Sequence, residues 1–247
     1  MDDQGRTVSS LGGFVSDQVQ IPVAIDFARA PAGEARGTVV ISGAGTAVEI
    51  AVRAFNPRDI DRDSIEGFVE SDGIVAIEAE HYAASRPAGA ARWIRIEDYG
   101  HTLSGMRADA PVDVAGLVPG VDAPVLEYRM QRFSSGPAEV ELTVAPTLNF
   151  APDRGLRVAL AFDDEPPQVL TLVPAGYDAA NGNRDWEASV RNNYRKLTSR
   201  HDLADSGVHT LRIYMVDPAV VLQRIVVRDL DRALPFSYLG PPESYRH

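Results

Sequence analysis

Residues 208–216 (VHTLRIYMV) and 220–228 (VVLQRIVVR) decide the fold class. Both are apolar runs of strand length, and Asp217-Pro218-Ala219 separates them. Proline donates nothing to a sheet ladder, so the break reads as a connection between two strands. Working outward, the same signal recurs at 73–79, 92–97, 125–133, 138–143, 156–162 and 168–173, with Gly/Pro-rich connections between many of the runs. About eight short strands at such spacing predict a two-sheet sandwich or jelly roll. One helix interrupts them: residues 186–197 (WEASVRNNYRKL) set Trp186, Val190, Tyr194 and Leu197 on one stripe, with Asp185 placed to cap the start.

The first fifth of the chain is a separate β pattern. Residues 18–27, 38–42 and 48–55 alternate or concentrate β-branched residues around the Gly43-Ala44-Gly45 turn, predicting three antiparallel strands. Three strands do not close a sandwich. The polar stretch 56–72, with Pro57, reads as a linker. The chain is thus expected to be all-β: a small sandwich over 1–55, a linker over 56–72 and a jelly roll over 73–247.

Composition narrows the function classes. With 247 residues, 45% hydrophobic and 24% charged, the chain has enough apolar side chain for a sizeable core. A formal net charge of -11 repels phosphate and argues against a nucleic-acid partner. No apolar run approaches a membrane span, and the start, MDDQGRTVSS, carries no basic-then-apolar export signal. The absence of cysteine excludes disulfides, thiolate chemistry and Cys-ligated zinc.

Several constellations could carry chemistry. Glu78 and Glu80 in IVAIEAEHY are two apart on a predicted strand and so share a face. Two like charges there call for a calcium ion, an arginine or solvent. The turn Phe162-Asp163-Asp164-Glu165-Pro166-Pro167 reads as a cation site or a tight solvated turn, and Ser104-Gly105-Met106 as a turn. His201 and His209 suit a surface or core-edge role. No zinc, phosphate-loop or nucleophile-elbow motif is present. Tyr82, Trp93, Tyr99 and Trp186 are the chosen candidates for carbohydrate platforms, from a wider set that includes Tyr194, Tyr238 and Tyr245. Their rings can pack on a pyranose C–H face, with core packing as the competing role.

Taken in order, Ile77-Glu78-Ala79-Glu80-His81-Tyr82, Ser104-Gly105-Met106, Leu126-Glu127-Tyr128, Pro146-Thr147-Leu148, the 162–167 turn, the 186–193 helix, His209-Thr210-Leu211, Asp217-Pro218 and the tail 237–244 (SYLGPPES) form a recognisable series. From about Gly73 onward the chain resembles the C-terminal domain of glycoside hydrolase family 115, the xylan α-1,2-glucuronidases. The strands before it resemble the immunoglobulin-like sandwich that precedes this domain in the family. The resemblance implies a parent, secreted or periplasmic, that removes glucuronic or 4-O-methylglucuronic acid from xylan side chains. Its catalytic acids would lie in upstream domains, so no catalytic residue carries over to this chain. The implied roles are packing against an upstream catalytic domain, homodimer assembly or substrate presentation, with glucuronoxylan binding as the alternative. The IEAEHY segment is also similar to the opening strand of carbohydrate-binding modules of families 6 and 35, which hold a structural calcium. That similarity makes Glu78, Glu80, Asp229 and Asp231 candidate calcium ligands. Tyr238 and the Pro/Gly-rich tail are expected to fasten the sandwich to a partner surface.

Overall fold

The computed structural model describes residues 24–58, 60, 62–111, 113–114, 116–234 and 237–247. The chain divides into two compact units, Met1–Asp59 and Ile60–His247.

In the first unit β1 (Gly33–Gly43) pairs antiparallel with β2 (Thr46–Asn56), in register from Gly33↔Asn56 to Gly43↔Thr46. The two-residue connection Ala44-Gly45 has φ of 49° and 78°. Positive φ at both positions is the I′ geometry whose twist matches the flanking strands, so the expected hairpin turn is present. The expected strand over 18–27 differs: residues 24–27 are not in a strand, and 18–23 lie outside the described residues. Asn56 explains part of this local path, because its amide donates to the carbonyls of Phe27 and Ala30 at 3.1 and 3.0 Å.

The second unit is a two-sheet sandwich. Its strands are β3 (Phe68–Val69), β4 (Ile74–Glu78), β5 (Ala84–Arg86), β6 (Arg92–Ile96), β7 (Gly105–Asp109), β8 (Val125–Arg132), β9 (Gly136–Val144), β10 (Leu156–Phe162), β11 (Gln168–Val173), β12 (Arg195–Leu203), β13 (Gly207–Met215) and β14 (Val221–Asp229). One sheet runs β11-β10-β13-β8-β3, with β5 also on β8; the other runs β12-β9-β14-β7-β6, with β4 also on β14. Alternation positions the core. His209, Leu211, Ile213 and Met215 of β13 and Ala138, Val140, Leu142 and Val144 of β9 turn inward, while Glu139 and Glu141 turn outward. All eight strands predicted in this region are present.

Five elements of this unit depart from the sequence reading: β3, β5, β7, β12 and the helix α1. Residues 56–72 are not wholly linker: Phe68, 2% exposed, enters the core and β3 pairs parallel with β8. Ser104-Gly105-Met106 leads into β7 and buries Met106, because the added strand covers Val221 and Leu222 of β14. Strand β5 is too short and polar to show an alternation. Helix α1 spans Arg184–Asn192 instead of 186–197. Asn183, not Asp185, caps it by accepting from the Asp185 and Trp186 amides, and Asn193 ends it in the left-handed region at φ 58°. Tyr194 and Leu197 therefore leave the helical stripe, since β12 pairs with β9 along its whole length. Within α1, Val190 is exposed and Ser189 is the buried residue.

Among the polar groups built into the interior are Tyr128 and Asp217. Tyr128 is wholly buried and donates to the Ala79 carbonyl at 2.7 Å; burial pushes its phenol well above the usual value of 10.0. Tyr128→Phe strands that buried acceptor and is expected to lower unfolding free energy by about 1–2 kcal/mol. A urea titration with an unshifted midpoint would contradict this assignment. Asp217 is also fully buried, and accepts from Arg154 Nε at 2.9 Å and Arg157 Nε at 2.8 Å. The Asp-Pro connection between β13 and β14 is thus held by a carboxylate gripped from two sides.

Candidate functional site

The 237–247 tail folds back on its own sandwich. It runs along the edge of β4 that β14 leaves open. Ser244 N donates to the Ala76 carbonyl and Ser244 Oγ accepts from Ala76 N; Glu243 accepts from Glu78 N at 2.9 Å and lies 2.8 Å from His81 Nδ1. Further along, Val69 N donates to the Tyr245 carbonyl and His247 N to the Gly67 carbonyl. Arg224 of β14 donates to the carbonyls of Leu239 and Pro241, so its guanidinium ties the tail to the sheet. Prolines 241 and 242 fix an irregular path whose hydrogen bonds come from such side chains. The tail thereby helps to bury β14 on both faces, a pattern β4 shares and β9 lacks in its first half.

The strand expected to carry both glutamates ends at Glu78, and Glu80 lies in the turn beyond it, so alternation does not set its direction; both carboxylates bond to the 102–104 loop, and each meets an arginine. Glu78, 3% exposed, accepts from Thr102 Oγ1 at 2.5 Å and stands 3.6 Å from Arg224 Nη1. Glu80 accepts from Ser104 N at 3.1 Å and Arg95 Nη1 at 3.0 Å. Burial pushes the Glu80 carboxyl up, but the Ser104 backbone and hydroxyl, Arg95 and His81 together hold it below 4.5. Asp229 and Asp231 do not join them. Residue 228 pairs with Ile74 while Arg224 pairs with Glu78, placing Asp229 at the far end of β4. Four residues of strand separate the two places, about 13 Å. Asp231 is 78% exposed beside Arg232.

The four carboxylates therefore do not form one ion site. Among the described residues no group of three or more histidine, aspartate or glutamate side chains could hold a metal ion. Glu78 Oε2 and Gln223 Oε1 are buried without a hydrogen-bond partner, but two oxygens fall far short of the six to eight that calcium takes. Arg224 and Arg95 supply the positive charge instead. EDTA is accordingly expected to leave the melting temperature unchanged. A fall that added calcium reverses would assign the two partnerless oxygens to an ion.

Asp229 belongs to a second polar cluster. Arg132, whose side chain is 1% exposed, donates to Glu70 at 3.3 Å, to Ser134 Oγ at 2.7 Å and to Asp229. Glu70 also accepts from the Phe133 and Ser134 amides at 3.2 Å each. Burial raises the Asp229 carboxyl above 3.8 against the pull of Ser134 and Arg132. Gly73 is required here: it sits at φ 76°, and a Cβ would lie 2.5 Å from Asp229 Oδ2.

The acidic turn after β10 leaves Asp164 exposed, while its other two acids each pair with a histidine. Asp163 lies 2.7 Å from His209 Nδ1 and accepts from Thr210 N, and Glu165 lies 2.7 Å from His201 Nδ1. The two imidazoles flank Phe162, at ring-centroid distances of 5.1 and 6.4 Å. Ser199 Oγ is 2.9 Å from His201 Nε2, which gives the order serine, histidine, carboxylate. The His201 side chain is 0% exposed, so no substrate reaches it, and the arrangement braces the turn.

The aromatic candidates separate on burial. Trp93 is 6% exposed and donates to the Pro124 carbonyl, Tyr82 packs against the core, Trp186 is half-buried and Tyr99 is exposed. The rings that cluster at the surface are others. His101 stacks against Tyr194 and Tyr238 at 5.1 and 4.6 Å, and its Nε2 is 2.9 Å from the Tyr238 carbonyl. They border a cleft over the sheet of β9, β12 and β14, with Glu141, Lys196 and Arg224 in its lining. Tyr194 was assigned to the helix and Tyr238 to a docking contact, so only tertiary structure joins them to His101.

Sandwich, tail and buried ion pairs define a jelly-roll domain of all-β class. Residues 67–243 match the glycosyl hydrolase family 115 C-terminal domain. The chain belongs to that family. Among solved structures it is similar to a family GH115 4-O-methyl-α-glucuronidase, BtGH115A, with specificity for decorated arabinogalactans (16% identity, TM-score 0.44, 61% of this chain and 18% of that one). It is similar too to the CBM6cm-2 module of Cellvibrio mixtus lichenase 5A in complex with cellotriose (15% identity, TM-score 0.39, 63% and 96%). A family 35 carbohydrate-binding module from Clostridium thermocellum also resembles it (18% identity, TM-score 0.39, 62% and 98%). No curated protein matches. At these scores the likenesses carry no argument about function.

Proposed function

We propose that this chain is the accessory, non-catalytic C-terminal region of a family 115 α-glucuronidase, acting by packing against an upstream catalytic domain, by homodimer assembly or by presenting substrate. The observation that carries the reading is the family match over residues 67–243, which is to the C-terminal domain. Within that region, buried Glu78, Arg132 and Asp217 are engaged in ion pairs that hold strands and tail together. The domain division proposed from sequence, 1–55, 56–72 and 73–247, fits this role with its second boundary moved earlier, because Phe68 packs in the second unit's core. The test is a product assay: the purified chain is expected to release no glucuronic or 4-O-methylglucuronic acid from glucuronoxylan or from a decorated arabinogalactan. Release of either acid by the chain alone would overturn the proposal.

A second reading is favoured by the surface cleft: a module that binds glucuronoxylan itself. Calorimetry with the intact chain separates the two, binding heat supporting the module and its absence the packing role.

A further inference from the structure

We infer that the cleft between the tail and β12 is a subsite for one neutral pyranose of a glycan backbone, with Tyr238 as its platform. The inference rests on the second reading above and goes further by naming residues and ligand chemistry.

Three observations support it. Tyr238 is 58% exposed although its hydroxyl is anchored on the Asn192 carbonyl at 2.7 Å and its ring lies against His101. An exposed ring held this firmly loses little freedom when a ligand covers it, and a tyrosine face suits the apolar C–H side of a sugar. In the lining of the same cleft, Lys196 Nζ and Glu141 Oε1 are 2.7 Å apart, the lysine side chain 46% exposed and the glutamate 17%. A paired ammonium and carboxylate offers a donor beside an acceptor, the complement of two neighbouring hydroxyls. Finally, the wall carrying Tyr238 is fixed by Arg224 through the Leu239 and Pro241 carbonyls.

The same groups set the ligand class. Lys196 is paired with Glu141 and Arg224 with Glu78, so neither cation of the lining is free for a uronic carboxylate, which would be repelled by Glu141. The neutral backbone sugar suits the cleft better than the acidic side chain. Its volume of about 60 Å³ is well below that of a site enclosing a small ligand, so the sugar lies across the opening and one face stays in water.

Isothermal titration of the full chain with neutral xylo-oligosaccharides, glucuronoxylan oligosaccharides and arabinogalactan fragments tests this. At least one neutral backbone fragment should bind, with Tyr238→Ala and Glu141→Gln each weakening it about tenfold and Tyr238→Phe keeping it within a factor of about two. Unchanged melting curves for the variants exclude unfolding as the cause. Wild-type binding that survives Tyr238→Ala and Glu141→Gln would overturn the subsite while leaving the module reading in place. Binding confined to acidic fragments would overturn the ligand class. No binding to any fragment would remove the module reading and the subsite with it.

Discussion

Arg132→Met is expected to lower the stability of the sandwich by about 3–5 kcal/mol, a fall of roughly 10 °C in melting temperature for a unit of this size. The guanidinium is 1% exposed between Glu70 and Asp229, whose side chains are 5% and 17% exposed. Methionine roughly preserves the volume but leaves two buried carboxylates facing each other without a cation. The pH dependence follows from Asp229, whose carboxyl burial already holds above 3.8 while Arg132 pulls it down. Removing Arg132 raises it further. A group raised on folding favours the folded state below its unfolded pKa and loses that contribution as pH rises through the folded value. The deficit of Arg132→Met should therefore be smallest near pH 4 and grow toward pH 7. Thermal melts across that range check both the size and the sign; a deficit larger at pH 4 than at pH 7 would refute the account.

Arg224→Met is expected to have an effect of similar size, about 3–5 kcal/mol, with a different local signature. The Glu78 and Arg224 side chains are each 4% exposed, so the variant leaves Glu78 as a buried charge held by Thr102. It also frees the Leu239 and Pro241 carbonyls that fasten the tail. Amide exchange should accelerate at Ser244 and Glu78, whose N–H groups bond across the tail–β4 seam, and protease should cut the tail before the sandwich unfolds. Retained protection at both amides would mean that Glu243 and Ser244 hold the tail without the arginine.

Much of the second unit was legible in the sequence because a half-buried strand leaves a period-two record. Strands β9 and β13 show it plainly. The hairpin of β1 and β2 was legible for a related reason, since Ala44-Gly45 can take the positive φ its turn demands. Strand β5 left no such record, being three residues long. Strand β12 was masked by Tyr194 and Leu197, which fit a helical period by coincidence until Asn193 turned the chain.

The site was less legible, because side-chain pairs distant in sequence leave no spacing to read. Glu78 meets Arg224, Asp163 meets His209 and Tyr238 meets His101, each across more than 40 residues. By itself the sequence determined the all-β class, the order of the main strands and the family markers, since local geometry and periodic burial are written residue by residue. Tertiary structure alone decided that the tail clasps its own β4, that arginines rather than other groups face the acidic pair, and that Tyr194 and Tyr238 gather around His101. Those outcomes depend on which strands become neighbours, and only the closed sandwich brings the opposing charges and rings within a few ångströms.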